Sequence, residues 1–309
     1  MPSHRLISIV CSPIDSFAGI GVRIAVYIQA FLPLIPAVLQ ICIGRPLVDF
    51  QLQAVQSASS SLITGMALII SAIIQQHTKG LSIFHALVVL NLCWITVFGS
   101  FIPVLFLADY DGQRNITIVT HKKTVMFLLF EAKLMLMGGF GVWMLSQSST
   151  FDSTPNPCTS STVFWILGHH IHVTSRPFRK ALLALYSTLL VPGVNIPAMV
   201  SLFLPATATL MVLGSFFACG FPEKAANASE TAIFSAGLAL QIAIMVVTTE
   251  KTIQSNNVGS EEQQWGLGQT YAVMVALIPA LELCKQIFRI LKSSPATVQD
   301  RAPSPTRTD

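Results

Sequence analysis

Residues 81–107 read LSIFHALVVLNLCWITVFGSFIPVLFL, a stretch without a single Asp, Glu, Lys or Arg. A helix that crosses a bilayer needs about 20 mostly apolar residues, so this stretch is long enough to cross. Strands of a membrane barrel alternate apolar and polar residues over about 10 positions, and this stretch does not alternate. Because lipid leaves no water to satisfy backbone polar groups, we predict a transmembrane helix from Leu81 to Leu107.

The composition of the whole chain agrees with this prediction. Of 309 residues, 52% are hydrophobic and 10% are charged, whereas an ordinary globular protein is about 25% charged. The chain therefore lacks the charged shell that a water-soluble fold of this size needs. The net charge of +4 is spread between apolar blocks, and no basic patch with interleaved aromatic residues indicates nucleic-acid binding.

Further apolar blocks predict an all-α polytopic transmembrane helix bundle with seven spans. The other six are Gly19–Ile43, Ala54–Ile74, Thr124–Leu145, Ile196–Phe217, Thr231–Thr249 and Gly266–Ile287. Before the fifth span, an interfacial or partial helix is predicted up to Val191. The alternative is two spans broken at Pro192-Gly193, which gives eight. Residues 1–18 form a non-cytoplasmic segment, 19–291 the bundle, and 292–309 a disordered cytoplasmic tail rich in Ser, Pro and charge.

The distribution of Lys and Arg predicts the orientation. With seven spans, the side with more basic residues is the cytoplasm, which leaves the N-terminus outside or lumenal. Cys11 and Cys158 then share the non-cytoplasmic side, where a disulfide can persist; the other possibility is two free thiols. The sequons at Asn115 and Asn227 fall on the cytoplasmic side and are predicted to carry no glycan.

One layer of polar residues is predicted near the non-cytoplasmic face. At a rise of about 1.5 Å per residue, five residues fall at similar depth: Arg23, Tyr27, Glu250, Trp265 and Gln269. We expect Arg23 to pair with Glu250. The cluster is either a mouth for a substrate or ion, or a structural link in which Trp265 is an interfacial anchor.

A second polar layer is predicted at the centre of the membrane, formed by Asn91, Glu131, Lys133 and Gln241. Inserting an ionisable side chain at this depth costs about 2.5–3.5 kcal/mol of free energy on insertion scales. Such residues are therefore the strongest indication of a functional site in such a chain. Glu131 and Lys133 are two residues apart and point to nearly opposite helix faces. The sharper hypothesis has Glu131 facing the bundle with Asn91 or Gln241 as partner, while Lys133 pairs elsewhere or snorkels.

Two other groups resemble metal ligands without completing a site. His169-His170-Ile-His172 has no accompanying histidine or carboxylate box and is interpreted as juxtamembrane. Asp109-Tyr110-Asp111 has oxygen ligands that suit Mg²⁺, but no second acidic cluster accompanies it. No metal site is therefore predicted, and the sequence leaves any cofactor unknown.

Three short motifs resemble a family of multi-spanning integral membrane proteins of filamentous fungi. They are CSPID at 11–15 followed by GIGVR at 19–23, EKTI at 250–253, and WGLGQ at 265–269. The resemblance implies a fungal source and the same span layout, and it supplies no activity. The last motif departs from the usual pattern, because Leu267 stands where an aromatic residue is more common.

Two classes of function follow from these features. The first is a transporter, channel or receptor-like protein in a plasma membrane or endomembrane, with the lipid bilayer and a small hydrophobic molecule or ion as partners. The alternative is a membrane-bound biosynthetic enzyme, such as a terpene-cyclase-like protein of fungal secondary metabolism with Glu131 as its acid. The sequence contains no nucleotide-binding loop and no nucleophile triad, which favours the first class.

Overall fold

A computed structural model describes residues 19–36, 48–78, 80–109, 116–147, 162–166, 168–199, 201, 223–256 and 267–292. Within these residues the helices are α1 (Ile20–Phe31), α2 (Val48–Thr78), α3 (Ile83–Asp109), α4 (Ile116–Ser146), α5 (Arg176–Leu189), α6 (Glu223–Ser255) and α7 (Leu267–Lys292). Two strands, β1 (Val163–Ile166) and β2 (His169–His172), lie between α4 and α5.

Four of these helices are long and apolar enough to cross a membrane. The qualifying segments are Gln53–Thr78, Ile83–Phe101, Thr124–Ser146 and Ser235–Ser255. They coincide with four of the predicted spans, and residues 20–36 form a shorter apolar helix. Large apolar side chains such as Ile63, Ile70 and Ile74 of α2 are exposed, as expected for surfaces that face lipid. These helices indicate a membrane location.

Helix α3 lies at the centre of the bundle. Its segment Ile83–Phe101 is 94% buried, and α1, α2, α4 and α6 all pack against it. The Thr96 hydroxyl donates to the Cys93 carbonyl at 2.7 Å, and the Ser100 hydroxyl donates to the Thr96 carbonyl at 2.8 Å. At Gly99 a Cβ atom would lie 2.5 Å from the Ala30 carbonyl oxygen, so glycine permits the close approach of α1.

Side-chain contacts give the direction in which each helix runs. Gln269 at the start of α7 contacts Gly21 at the start of α1, and Glu250 near the end of α6 contacts Arg23. His77 at the end of α2 stacks on Trp143 near the end of α4, with ring centroids 5.7 Å apart. One face of the bundle, here named the hairpin face, therefore holds the starts of α1, α3 and α7 and the ends of α2, α4 and α6.

The all-α prediction is wrong between 162 and 172, where the chain forms an antiparallel β-hairpin at the hairpin face. Val163 pairs with His172, and Ile166 pairs with His169 across a turn that contains Gly168 at a φ of 92°. The hairpin is fastened to the end of α6. Asn256 accepts from the Val163 N–H at 2.9 Å and donates to its carbonyl at 2.7 Å, while the Trp165 N–H donates to Thr252 Oγ1 at 3.1 Å.

Helix α5 lies in the stretch where the sequence predicts an interfacial or partial helix up to Val191. It packs lengthwise against α4. Arg179 donates to the Ser146 carbonyl at 3.1 Å, whereas the ring of Tyr186 lies against Gly141 one turn or more deeper. α5 therefore descends alongside α4 from the hairpin face. Its end is followed by a turn with Pro192 and with Gly193 at a φ of 80°, and then by a helical segment at 195–199.

Candidate functional site

The polar cluster at the hairpin face is centred on the carboxylate of Glu250. Arg23 Nη1 lies 2.7 Å from Oε2 and 2.8 Å from Oε1, and the Tyr27 hydroxyl donates to Oε1 at 2.8 Å. Arg23 and Tyr27 are one turn apart on α1, so both reach the same carboxylate on α6. The pairing of Arg23 with Glu250 expected from the sequence is present in the structure.

The two charged groups of this cluster are unequally exposed. The side chain of Arg23 is 6% exposed and that of Glu250 is 37% exposed. The guanidinium also has its Nε atom buried without a hydrogen bond in the described part of the chain. Arg23 thus depends on Glu250 for its charge compensation, whereas Glu250 also reaches the open surface.

Gln269 joins α7 to the same region. Its side-chain Oε1 accepts from the Gly21 N–H at 3.0 Å. Side chains at Gly19 or Gly21 would overlap Gln269, so the two glycines of the GIGVR stretch make this contact possible. Trp265, the fifth predicted member, lies outside the described residues. The cluster connects three helices and presents one carboxylate near the surface.

In the central layer Glu131 has a partner that the sequence did not predict. Asn195, which is fully buried, donates its amide N–H to Glu131 Oε2 and accepts from the Ile196 N–H at 2.7 Å. The hypothesis that Asn91 or Gln241 contacts Glu131 is therefore wrong. Asn195 stands between Pro192 and Pro197. A short polar residue between two prolines is the sequence feature that indicates a polar contact at this helix break.

Lys133, not Glu131, faces the interior of the bundle. It is fully buried, and its Nζ lies against Gly65 of α2 and against Cys93 and Thr96 of α3. Of the two alternatives for Lys133, pairing elsewhere or snorkelling, the second is wrong, because the amine is buried between helices. Nζ makes no hydrogen bond of ordinary geometry within the described residues. A Cβ atom at Gly65 would overlap Nζ, so the missing side chain supplies the room for the amine.

The other two predicted members of the central layer, Asn91 and Gln241, make no hydrogen bond with Glu131 among the described residues. Asn91 is buried in α3, with its Nδ2 atom lacking a hydrogen bond in the described ranges. Gln241 is half-buried on α6. No hydrogen bond or ion pair joins any two of Asn91, Glu131, Lys133 and Gln241 in the described ranges.

A groove between α2 and α4 extends from the hairpin face as far as Met135, one helical turn from Glu131. It has a volume of about 330 Å³ and is lined by Ile73, His77, Met135, Leu136, Gly139, Phe140 and Trp143. Met135 lies one turn from Glu131, but Leu136, Phe140 and Trp143 lie on a different face of α4, and Glu131 itself does not line the groove. The groove is apolar apart from His77 at its outer end.

The remaining predictions concern thiols and metals. Cys11 and Cys158 lie outside the described residues, so their disulfide stays a prediction. Within those residues Cys93 is buried and Cys284 is exposed, both as free thiols. No group of three or more His, Cys, Asp or Glu side chains converges on a metal-sized space in the part of the chain described.

Comparison with known protein families, with curated proteins and with solved structures gave no match. The similarity of the GIGVR and WGLGQ stretches to fungal membrane proteins therefore stays a prediction. The function has to be argued from the site alone.

Proposed function

We propose that the chain is a multi-spanning membrane transporter for a small, largely apolar molecule, with Glu131 and Asn195 as the polar contact. The observation that carries the proposal is a helix break whose buried Asn195 amide contacts Glu131, a carboxyl group within a helix that is long and apolar enough to span a membrane. Glu131 lies 15 residues before Ser146, which is about 22 Å along the axis at about 1.5 Å per residue. Because the hydrocarbon core is about 30 Å thick, this distance places Glu131 inside the core and nearer to the face opposite the hairpin face.

The break itself supports this proposal. Non-helical backbone at membrane depth is tolerated only where protein covers it or where it lines a water-filled cavity. Transporters place substrate sites at interrupted helices near the midplane, because the ends of the half-helices offer free backbone groups. Here α5 ends at Leu189, a turn with Pro192 and Gly193 follows, and Asn195 opens the next helical segment beside Glu131.

The groove suggests the kind of molecule. Its walls are formed by aliphatic and aromatic side chains, with His77 at the hairpin face and Met135 one turn from Glu131. A molecule that binds there would bury an apolar body between α2 and α4 and place one end at Met135, one helical turn from Glu131. Binding pockets of this kind combine a largely apolar lining with a few placed polar groups.

We further propose seven crossings instead of eight. α4 ends at the hairpin face, and α6, which has 33 residues and is about 50 Å long, also ends there. α6 therefore begins at the opposite face. The chain between Ser146 and Glu223 has to pass from the hairpin face to the opposite face, which requires an odd number of crossings and favours one span over two.

The proposal is tested with Glu131→Gln in the full chain, returned to cells in which the encoding gene has been deleted. Untargeted metabolite analysis of cells and medium is the readout. A transporter shifts the distribution of a compound between cells and medium, and Glu131→Gln abolishes that shift at unchanged membrane abundance. Glu282→Gln is the matched control, since Glu282 is an exposed carboxylate whose contact is Lys285 on the same helix.

The same experiment discriminates the enzyme alternative. Loss of a compound from cells and medium together, with a precursor accumulating, would contradict transport and favour a membrane enzyme. Equal loss of Glu131→Gln from the membrane would mark the residue as structural. The two described carboxylates near predicted sites, Glu131 and Glu250, contact different helices and do not converge as a cyclase requires.

A further inference from the structure

The outer flank of the β-hairpin carries two exposed histidines on strand β2. We propose that His170 and His172 bind a divalent transition-metal ion of the borderline class, such as Cu²⁺, Ni²⁺ or Zn²⁺. This site is separate from Glu131 and Asn195 and does not depend on the proposed transport. Imidazole is the commonest protein ligand for these ions.

The register of the hairpin places the two imidazoles on one side. Side chains two residues apart on a strand point the same way, so His170 and His172 share a side and His169 points to the other. Their Cβ atoms are separated by about 6.6 Å along the strand. Two imidazoles can close that span on a metal held about 2.0–2.1 Å from each nitrogen, with water in the remaining positions.

Trp165 of strand β1 lies directly opposite His170. The N–H groups of Val163 and Trp165 point away from β2, because they donate to Asn256 and Thr252 of α6. Trp165 and His170 are consequently a non-hydrogen-bonded pair, in which opposed side chains lie closest. A metal bound by His170 would therefore sit beside the Trp165 indole.

The flank is both rigid and accessible. Three hydrogen bonds fasten β1 to Asn256 and Thr252, so the strand pair is ordered before a ligand arrives. His170 and His172 are exposed, and neither imidazole ring makes a hydrogen bond or ion pair with a described residue. Binding would thus require neither the breaking of a contact nor the ordering of a loop, which are the usual costs of association.

The test is titration of the purified full chain, without a polyhistidine tag, with Cu²⁺ while Trp fluorescence is recorded. Cu²⁺ and Ni²⁺ quench a nearby indole, whereas Zn²⁺ does not quench and instead competes. His4→Ala is used as the background, because His4 is a further imidazole ligand for Cu²⁺ outside the described residues. We expect saturable quenching at one equivalent, reversed by EDTA, with Cu²⁺ acting at a lower concentration than Ni²⁺.

Two variants locate the site. His170→Ala with His172→Ala is expected to raise the Cu²⁺ concentration for half-quenching by at least about tenfold, as the loss of metal-site residues commonly does. His169→Ala, on the other side of the same strand, leaves the titration unchanged. Trp165→Phe removes the quenched component while Zn²⁺ still raises the unfolding temperature.

Three results would overturn the assignment: unchanged quenching in the double variant, equal loss in His169→Ala, or no saturation in the parent chain. If the double variant loses its hairpin structure, His170→Gln with His172→Gln keeps polar side chains of similar length. Restored hairpin folding together with parent-like metal binding would equally refute a site at these two residues.

Discussion

Removing either partner of the Arg23–Glu250 pair should destabilise the protein to different extents. Breaking a buried ion pair costs about 3–5 kcal/mol, because the remaining charge is left uncompensated. Glu250→Gln leaves a guanidinium that is 6% exposed, so we expect about 3 kcal/mol from that range. Arg23→Met leaves a carboxylate that is 37% exposed and partly solvated, and we expect about 1 kcal/mol. The double variant, with no charge left, should also cost about 1 kcal/mol, far less than the two single losses together.

The measurement is equilibrium unfolding of the purified chain in mixed micelles, followed by tryptophan fluorescence, for the four members of this double-mutant cycle. A difference of about 3 kcal/mol is more than a hundredfold in the unfolding constant. Glu282→Gln is the control, because its exposed contact with Lys285 is worth at most about 0.5 kcal/mol. Equal losses for the two single variants, or losses that add in the double variant, would refute the dependence of Arg23 on Glu250.

Two further predictions rest on packing and on topology. Gly65→Ala should destabilise the protein by about 1–3 kcal/mol, because the added methyl group would overlap Lys133. Gly139→Ala is the control and should change the unfolding midpoint little, since its nearest neighbour would be 3.8 Å away. Similar midpoints for the two variants would contradict the close packing around the Lys133 amine. In a eukaryotic host neither Asn115 nor Asn227 should carry a glycan, and a mobility shift on glycosidase treatment would show that the predicted orientation is reversed.

The sequence was sufficient to predict the elements whose physical cause is local. Length and hydropathy located α2, α3, α4 and α6, because a lipid-spanning helix needs no information about its neighbours. Depth along the helices was also sufficient to pair Arg23 with Glu250, because both residues lie within a few turns of one membrane face.

Rotation about a helix axis could not be predicted in this way. The spacing of Glu131 and Lys133 indicates opposite faces but does not say which one points inward. Lys133 points inward because Gly65 has no side chain and leaves room for the amine between the helices. Asn195 was missed because its contact with Glu131 depends on how α5 descends along α4, which the sequence of the break does not reveal.

The hairpin was missed for a different reason. The run Val163–Ile166 is rich in β-branched and aromatic residues and is followed by Gly168, which is a recognisable hairpin signal. The neighbouring apolar stretches are long enough to span a membrane, and they favour a helical interpretation of the same region. Short strands at the end of a helical bundle are easily overlooked when the dominant period in the chain is helical.

The position of α3 has a consequence for how the protein is made. This helix ends up enclosed by its neighbours, yet during synthesis it enters the bilayer before α4, α6 and α7 exist. Thr96 and Ser100 donate to carbonyls of their own helix, so these two hydroxyls bring no unmet hydrogen bonding into lipid. The later helices then replace the lipid around α3. The most buried helix of the folded protein is therefore one that is exposed to lipid when it is first inserted.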